Sequence, residues 1–146
     1  RVRGCLIRRN QLKVEGQCHC GAIAFEAEVQ AGSMTVCHCN DCQIHSGSAF
    51  RANISAPAHR FRLLSGTPNT YIKTAASGAR RVLAFCGHCG TPVYACAAEA
   101  PTAYSLRVGT LKQRHELGSP KRQIWAQRRL PWVTLPDGVE AFNGQP

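Results

Sequence analysis

The hydrophobic and polar positions of the chain form short runs that predict β-strands. Residues 22–29 open with apolar side chains and then alternate apolar and polar residues, as expected for a strand with one face in water. Further runs of this kind occupy residues 34–37, 49–54, 61–64, 70–74, 81–85, 92–97 and 104–108. Turn-forming Gly, Pro and Ser residues separate these runs. Seven or eight short strands with this spacing predict a mainly β protein, arranged as an antiparallel sandwich or an open barrel.

Helical patterns are scarce. One helical turn is predicted to begin near Asp41, a residue type that caps helix N-termini, and to end at Gly47. We expect residues 123–146 to form an extended strap that closes on the sheet through Trp125, Trp132 and Phe142.

The chain of 146 residues is long enough for one domain with a hydrophobic core. We expect residues 16–146 to form that domain, and residues 1–15 to be an N-terminal tail or an added segment. No apolar run approaches the ~20 residues that span a bilayer, which excludes a transmembrane protein. Polar Gln11 and Lys13 follow the basic N-terminal residues, so this region does not resemble a secretory signal, and we expect a cytoplasmic protein.

Nine cysteines among 146 residues suggest either a secreted disulfide framework or metal ligation. Seven of the nine fall in three tight groups, at residues 18–20, 37–42 and 86–89. Metal ligands commonly cluster in this way, whereas disulfide partners need not. The odd number of cysteines and the lack of an export signal also favour metal ligation over disulfides, because reduced thiols in a cytosol are available for zinc. The spacing therefore favours zinc.

The formal net charge of +10 depends on this assignment. Two zinc ions would add four positive charges and seven bound thiolates would add seven negative ones, which brings +10 to +7. A basic domain suits nucleic acid and small anionic substrates equally. The basic residues are scattered in pairs rather than gathered in one run, so we expect most of them to form a solvated surface.

The first and third cysteine groups can form one metal site. Cys18 and Cys20, placed on a strand, would project both sulfurs from the same face because side chains alternate with period two. Cys86 and Cys89 form a knuckle in which glycines let backbone amides approach the sulfurs. Together these pairs would make a closed four-cysteine zinc site that joins two distant segments and contributes to the folding free energy.

The middle group differs in kind, because Cys37, Cys39 and Cys42 can bind one ion and leave its fourth position open. Structural zinc usually has four protein ligands, whereas catalytic zinc keeps three and leaves a place for water or substrate. Three thiolates leave the ion with a net negative charge, which weakens it as a Lewis acid for water but suits a soft ligand such as a thiol. These three cysteines are therefore the candidate catalytic group, with thiol chemistry favoured over hydrolysis.

Spacing alone leaves other assignments open. A crossed pairing of the groups, or a fourth ligand supplied by His38, His45, His88 or Cys96, would give two structural zinc ions. His45 is also a candidate proton relay, although a polar surface histidine is the simpler interpretation.

Several motifs together resemble one known family. They are residues 16–21 (GQCHCG), 37–43 (CHCNDCQ), 46–48 (SGS) and 85–92 (FCGHCGTP), with 131–132 (PW) and 135–138 (LPDG) in the tail. In this order they resemble the glutathione-dependent formaldehyde-activating enzymes, the CENP-V/GFA family. The resemblance implies a β-tent type of fold built from antiparallel sheets and stapled by zinc. It also implies a structural zinc on Cys18, Cys20, Cys86 and Cys89, and a second zinc on Cys37, Cys39 and Cys42.

The function that the resemblance implies is a carbon–sulfur lyase reaction. Glutathione would add reversibly to formaldehyde, or a related thiol to a related aldehyde, and give S-hydroxymethylglutathione in the first case. The thiol would meet the second zinc, and its thiolate would attack the aldehyde carbon. Glutathione is anionic, so Arg51 or Arg80 is a candidate to hold its carboxylates.

Two other functions compete with this one. A non-catalytic zinc-binding module for nucleic acid or protein is consistent with the positive charge. A methionine sulfoxide reductase has a similar type of fold, but it needs a redox-active cysteine outside the zinc groups, and only Cys96 and Cys5 are available for that role.

Overall fold

The computed structural model describes residues 10–146, and within them the chain forms two open β-sheets. The smaller sheet contains β1 (Gln11–Gln17), β2 (Ala24–Gln30) and β5 (Phe61–Ser65), in the order β1-β2-β5. The larger sheet contains β3 (Thr35–Cys37), β4 (Arg51–Pro57), β6 (Asn69–Thr74), β7 (Arg80–Phe85), β8 (Pro92–Ala97), β9 (Ala103–Arg107), β10 (Arg122–Ile124) and β11 (Glu140–Ala141). Its order is β11-β10-β3-β4-β9-β8-β7-β6. The mainly β, open architecture expected from the sequence is confirmed.

The first strand begins earlier than the motifs suggested. Residues 11–15, which the sequence analysis assigned to a tail, belong to β1 and pair with β2 along its whole length. Val14 is completely buried, and Leu12 packs against the core beside it. Gly16 lies directly against the Phe25 ring, where a Cβ would clash. The alternation of residues 12–16 was therefore a strand signal hidden beside the cysteine motif. Cys5 lies outside the described residues.

The C-terminal strap is part of the large sheet, but it pairs in parallel rather than antiparallel fashion. β10 runs parallel to β3, with Ile124 opposite Cys37, and β11 runs parallel to β10. Backbone hydrogen bonds from Trp125 to Gly144 and from Ala126 to Phe142 hold the chain end beside β10.

The tail is not anchored through every residue that we expected. Trp125 and Phe142 are partly buried, but Trp132 is 72% exposed and does not anchor the strap. Its neighbour Val133 is buried instead. One 3₁₀ turn and the short strands β10 and β11 interrupt the loop here, so the direction of each side chain depends on turns rather than on a regular period.

The hydrophobic core lies between the two sheets. Phe25, Ala27 and Val29 project from β2 into it, as the period of two requires. Ile54 on β4 and Leu106 on β9 meet them from the larger sheet and lie opposite each other in register.

The opposite face of the larger sheet carries polar side chains. Asn53 lies opposite Arg107 in the β4–β9 register, and Arg51 lies two residues from Asn53 along β4. Because side chains alternate, these residues project away from the core that holds Ile54 and Leu106. The larger sheet therefore has one face for packing and one face available for chemistry.

The predicted helix is present as α1 (Asn40–Ser46), directly after β3. Its N-cap is Cys39, not Asp41, because the Cys39 sulfur accepts the backbone N–H of Cys42. Gly47 ends the helix, as expected, in a left-handed conformation with φ of 62°. Short 3₁₀ turns occupy Ala58–Arg60, Val108–Thr110, Arg114–Glu116 and Ala126–Arg128. Among residues 10–146, no helix is long or apolar enough to traverse a bilayer.

Candidate metal centres and active site

Four cysteine sulfurs meet at one place between the sheets. The Sγ atoms of Cys18, Cys20, Cys86 and Cys89 all lie within 4.8 Å of one another. Cys20 Sγ is 3.6 Å from Cys18 Sγ and 3.7 Å from Cys86 Sγ. Zinc–sulfur bonds of about 2.3 Å in a tetrahedron place sulfurs about 3.8 Å apart, so this cluster has the dimensions of a four-cysteine zinc site.

Two tight turns deliver these sulfurs. Cys18 and Cys20 lie in a turn that follows β1, rather than on a strand as we expected, and the Gly21 N–H closes it on the Cys18 carbonyl. The second turn follows β7, where the Gly90 N–H donates to the Cys86 carbonyl. Gly21 and Gly90 have φ of 80° and 76°, a left-handed conformation that glycine adopts without strain. Turn geometry, not strand alternation, therefore sets the direction in which both pairs of sulfurs project.

Thr91 connects the two turns. Its Oγ1 accepts the backbone N–H of His19 at 3.0 Å and lies 3.1 Å from Cys89 Sγ, to which the hydroxyl can donate. This hydrogen bond, together with backbone hydrogen bonds from Cys20 and Thr91, lowers the pKa of Cys89 to about 5. The Ile23 N–H donates to Cys18 Sγ at 3.2 Å. Donors to sulfur favour thiolates, the form that binds metal.

Three other cysteines meet where β3 passes into α1. The Sγ atoms of Cys37, Cys39 and Cys42 lie within 4.8 Å of one another, Cys37 being buried and the other two partly buried. Hydrogen bonding from Cys39 and Cys42, together with burial, raises the pKa of Cys37, whereas hydrogen bonding from Cys37 lowers the pKa of Cys39. Three thiolates this close need a cation to offset their repulsion, and a soft divalent ion such as zinc fits this donor set.

No fourth ligand from the described part of the chain joins this second cluster. His38 is fully buried, but its Nε2 lies 3.1 Å from the Gln123 side-chain oxygen, in a hydrogen bond away from the sulfurs. His45, His88 and Cys96 do not belong to either sulfur cluster. The structure thus brings together the same groups of four and three cysteines that the spacing suggested, and their roles as ligands stay a prediction.

A cavity of about 350 Å³ lies on the polar face of the larger sheet. Its lining includes His45, Arg51, Tyr71, Leu83, Ala84, Phe85, Gly90, Pro92 and Arg107. Arg51 lies opposite Cys37 in the β3–β4 register, and His45 belongs to the same helix as Cys42. The cavity and the three-cysteine cluster are therefore neighbours, built from the same strand pair and helix.

His45 reaches this cavity from the last turn of α1. Its ring centroid lies 5.7 Å from that of Tyr71. Burial lowers the pKa of His45, and the positive charges of Arg51 and Lys73 lower it further. His45 lines the cavity but is also exposed to solvent. A neutral imidazole in this position can accept a proton, and the relay role stays a prediction.

The two candidate arginines have different surroundings. Arg51 is buried in the cavity wall, whereas Arg80 forms an exposed ion pair of 2.6 Å with Glu99. Sequence reasoning missed Arg107, which is also buried in the cavity wall. A signal existed, because Arg107 follows the core residue Leu106 inside a predicted strand and must project from the opposite face.

Cys96 is 6% exposed on β8, and burial raises the pKa of its thiol. A buried thiol with a raised pKa is a poor nucleophile, so this residue gives no support to the sulfoxide reductase hypothesis.

The chain is thus a small, mainly β domain with one cluster of four cysteines and one of three, each of which could hold a metal ion, and with a cavity beside the second cluster. A family model described as glutathione-dependent formaldehyde-activating enzyme matches residues 13–128. The chain therefore belongs to this family.

Two individual proteins that resemble this chain are each less than 30% identical to it. A Schizosaccharomyces pombe protein, named as an uncharacterized lyase, is 29% identical over 98 residues, which are 67% of this chain and 68% of that protein. The crystal structure of a Rhodobacter sphaeroides protein superimposes with a TM-score of 0.53 and 21% identity, covering 88% of this chain and 98% of the other. At this identity the likeness shows a common fold.

Proposed function

We propose that this protein is a zinc-dependent carbon–sulfur lyase that promotes the reversible addition of a thiol to an aldehyde, with glutathione and formaldehyde as the pair. The observation that carries the proposal is the three-cysteine cluster, which has no fourth ligand from residues 10–146 and adjoins a cavity with a neutral histidine. Family membership and the lyase name of the yeast relative support the same class of reaction.

The two clusters have different roles in this proposal. Cys18, Cys20, Cys86 and Cys89 hold a structural zinc, and Cys37, Cys39 and Cys42 hold a second zinc at the reacting site. Zinc bound there would stabilise an incoming thiol as its thiolate, which is the nucleophilic form.

The protein's own side chains position the reactants and move the proton. An imidazole nitrogen of His45 accepts the proton from the thiol sulfur. The sulfur lone pair forms the new C–S bond as the C=O π bond of the aldehyde breaks, and the oxygen then takes the proton from His45. Thiol and aldehyde thus become one hemithioacetal without loss of atoms, and the reverse sequence releases them.

Metal analysis combined with exchange NMR tests this function. We expect two zinc ions per chain, and an exchange rate between free glutathione and its formaldehyde adduct that exceeds the spontaneous rate. Cys96→Ser serves as the control, because Cys96 lies outside both clusters. A protein that carries both zinc ions and leaves the spontaneous rate unchanged would refute the proposal.

The competing hypothesis is a non-catalytic zinc module that binds nucleic acid. Filter binding over a salt series separates the two, since phosphate contacts impose a steep dependence on salt. We expect weak binding with little dependence on salt. A cytoplasmic location also stays a prediction.

A further inference from the structure

Two arginines on neighbouring strands project into the cavity from the polar face of the larger sheet. Arg51 is 7% exposed and Arg107 is 8% exposed. Asn53 lies opposite Arg107 and two residues from Arg51, so all three side chains are on one face of the β4–β9 pair. Burial of two arginines side by side is unusual, because this residue type is almost never fully buried without a partner.

Neither guanidinium has a carboxylate partner among residues 10–146, where all six ion pairs involve other residues. Residues 1–9 contain no Asp or Glu. Arg107 donates to the side-chain oxygen of Asn53, while its Nε is buried without a partner. Burial lowers the pKa of Arg107 to about 9, and the charge of Arg51 contributes to the shift. The two positive charges therefore repel each other in a poorly solvated place.

The neighbouring cysteines offset only part of this charge. Three thiolates around one divalent ion carry a single net negative charge, against two positive charges on the arginines. Lys73 does not change the balance, because it forms an ion pair of 2.6 Å with Asp41. Arg81 on β7 adds a further positive charge that acts on Arg107. At least one positive charge is left over, and a buried charge without a partner is costly.

The rest of the cavity wall favours a small organic anion over a bare ion. Leu83, Phe85, Tyr71 and Pro92 face the arginines with largely apolar surface. Pockets that combine apolar walls with a few convergent charged groups are typical of small-molecule sites, and apolar surroundings strengthen charge-assisted hydrogen bonds. Guanidinium groups bind carboxylates through parallel N–H···O bonds.

We propose that Arg51 and Arg107 form a carboxylate-binding subsite, so that the thiol substrate must carry an acidic group that these arginines hold while its sulfur faces the three cysteines. This inference rests on the proposed function for the identity of the substrate as a thiol. Arg51 lies opposite Cys37 on the adjacent strand, and strands are spaced about 4.8 Å apart. The subsite and the cysteine cluster are thus close enough to contact one small molecule.

The test uses a ligand that cannot bind through a thiolate. Calorimetric titration would compare S-methylglutathione, in which the sulfur is blocked, with its diethyl ester, in which both carboxylates are blocked. We expect the ester to bind at least tenfold more weakly than the acid to the zinc-loaded wild-type protein. Equal affinity of the acid and the ester would overturn the proposal.

Variants assign the effect to the arginines. Arg107→Met should reduce the preference for the acid to less than threefold, and Arg107→Lys should restore part of it. Arg80→Met is the matched control, since it removes an exposed arginine of the same charge outside the cavity. A full preference retained in Arg107→Met and Arg51→Met would refute the subsite. Should these variants not fold, the ligand pair on the wild-type protein still decides.

These experiments distinguish a failure of the carboxylate subsite from a failure of the proposed lyase function. A protein that prefers the acid but does not accelerate thiol exchange keeps the subsite and loses the lyase. A protein that accelerates exchange equally with glutathione and its diethyl ester keeps the lyase and loses the subsite.

Discussion

The two cysteine clusters contain the same ligand atom but differ in what surrounds it. The four-cysteine cluster joins turns that are 66 residues apart between Cys20 and Cys86, and Thr91 ties these turns together. The three-cysteine cluster comes from six consecutive residues at the junction of β3 and α1, and it adjoins a cavity with His45 and two buried arginines. In the proposed function, the first cluster supplies four ligands to one ion, whereas residues 10–146 supply only three at the second and leave a coordination position for a ligand from outside the chain.

If the proposed roles hold, the number of sulfurs is only part of the distinction between a structural and a reactive metal site. Long sequence separation makes a cluster useful for folding, because binding one ion then closes a large loop. A local cluster closes almost no loop and contributes less to the fold, so its position beside a cavity indicates chemistry. The following predictions test this contrast.

The largest effect is expected for Cys86→Ser. Structural zinc contributes roughly 10–16 kcal/mol in zinc-finger peptides, which matches or exceeds the whole stability of about 5–15 kcal/mol of a typical domain. The variant should therefore lose the first zinc and fail to fold, as measured by circular dichroism and metal analysis. A cooperative thermal transition within a few degrees of wild type would show that this site is not structural.

Cys42→Ser should spare the fold and remove the activity. We expect one zinc ion per chain and a small change in melting temperature. The rate of catalysed exchange should fall at least about 100-fold, because removing a residue that only supports a metal ligand already lowers activity by up to about 100-fold. Loss of stability equal to that of Cys86→Ser would contradict the distinction between the clusters.

The pH dependence of the catalysed exchange rate tests whether His45 transfers a proton. Because its pKa is lowered in the folded protein, the neutral form persists below the usual range, and catalysed exchange should rise with pH through that lowered value. The unfolded chain binds more protons over the same acidic window, so the contribution of His45 to stability is lost as pH falls from the unfolded towards the folded pKa.

His45→Gln should abolish the acidic limb of the rate profile and reduce the rate by about 10²-fold, the lower range for general acid–base catalysis. Exposed His59 is the matched control, and His59→Gln should leave the profile unchanged. An identical acidic limb in His45→Gln would exclude the relay.

The smallest effect is expected for Thr91→Val. The change removes a hydroxyl that makes two hydrogen bonds, one accepted from the His19 N–H and one to Cys89 Sγ, at a cost of roughly 1 kcal/mol for each. Urea denaturation should show this loss while the catalysed rate is unchanged. A large loss of rate with normal stability would mean that the two clusters are coupled.

Much of this architecture was predictable because it depends on neighbouring residues. Alternating side chains predicted eight of the strands from β2 to β9, and Gly47 marked the end of α1. β1 was missed because Leu12 and Val14 stand in a region dominated by charged residues. β10 and β11 are only three and two residues long, too short for a period to be seen.

The cysteine groups were also predictable, but the turn that holds Cys18 and Cys20 was not. A Cys-x-Cys spacing fits a strand and a tight turn equally, and the left-handed Gly21 decides for the turn. Likewise, Cys39 displaces Asp41 as the helix cap because β3 ends at Cys37, which places the Cys39 sulfur over the first helical N–H groups.

The sequence by itself determined the strands from β2 to β9, the two sets of cysteines that could bind metal and the family, because each depends on spacings of a few residues. Only the tertiary structure decided that Arg51 and Arg107, which are 56 positions apart, line one cavity beside Cys37. It also decided that Arg80 pairs with Glu99 at the surface. Strand order sets such distances, and pairing between remote segments leaves no periodic trace in the chain.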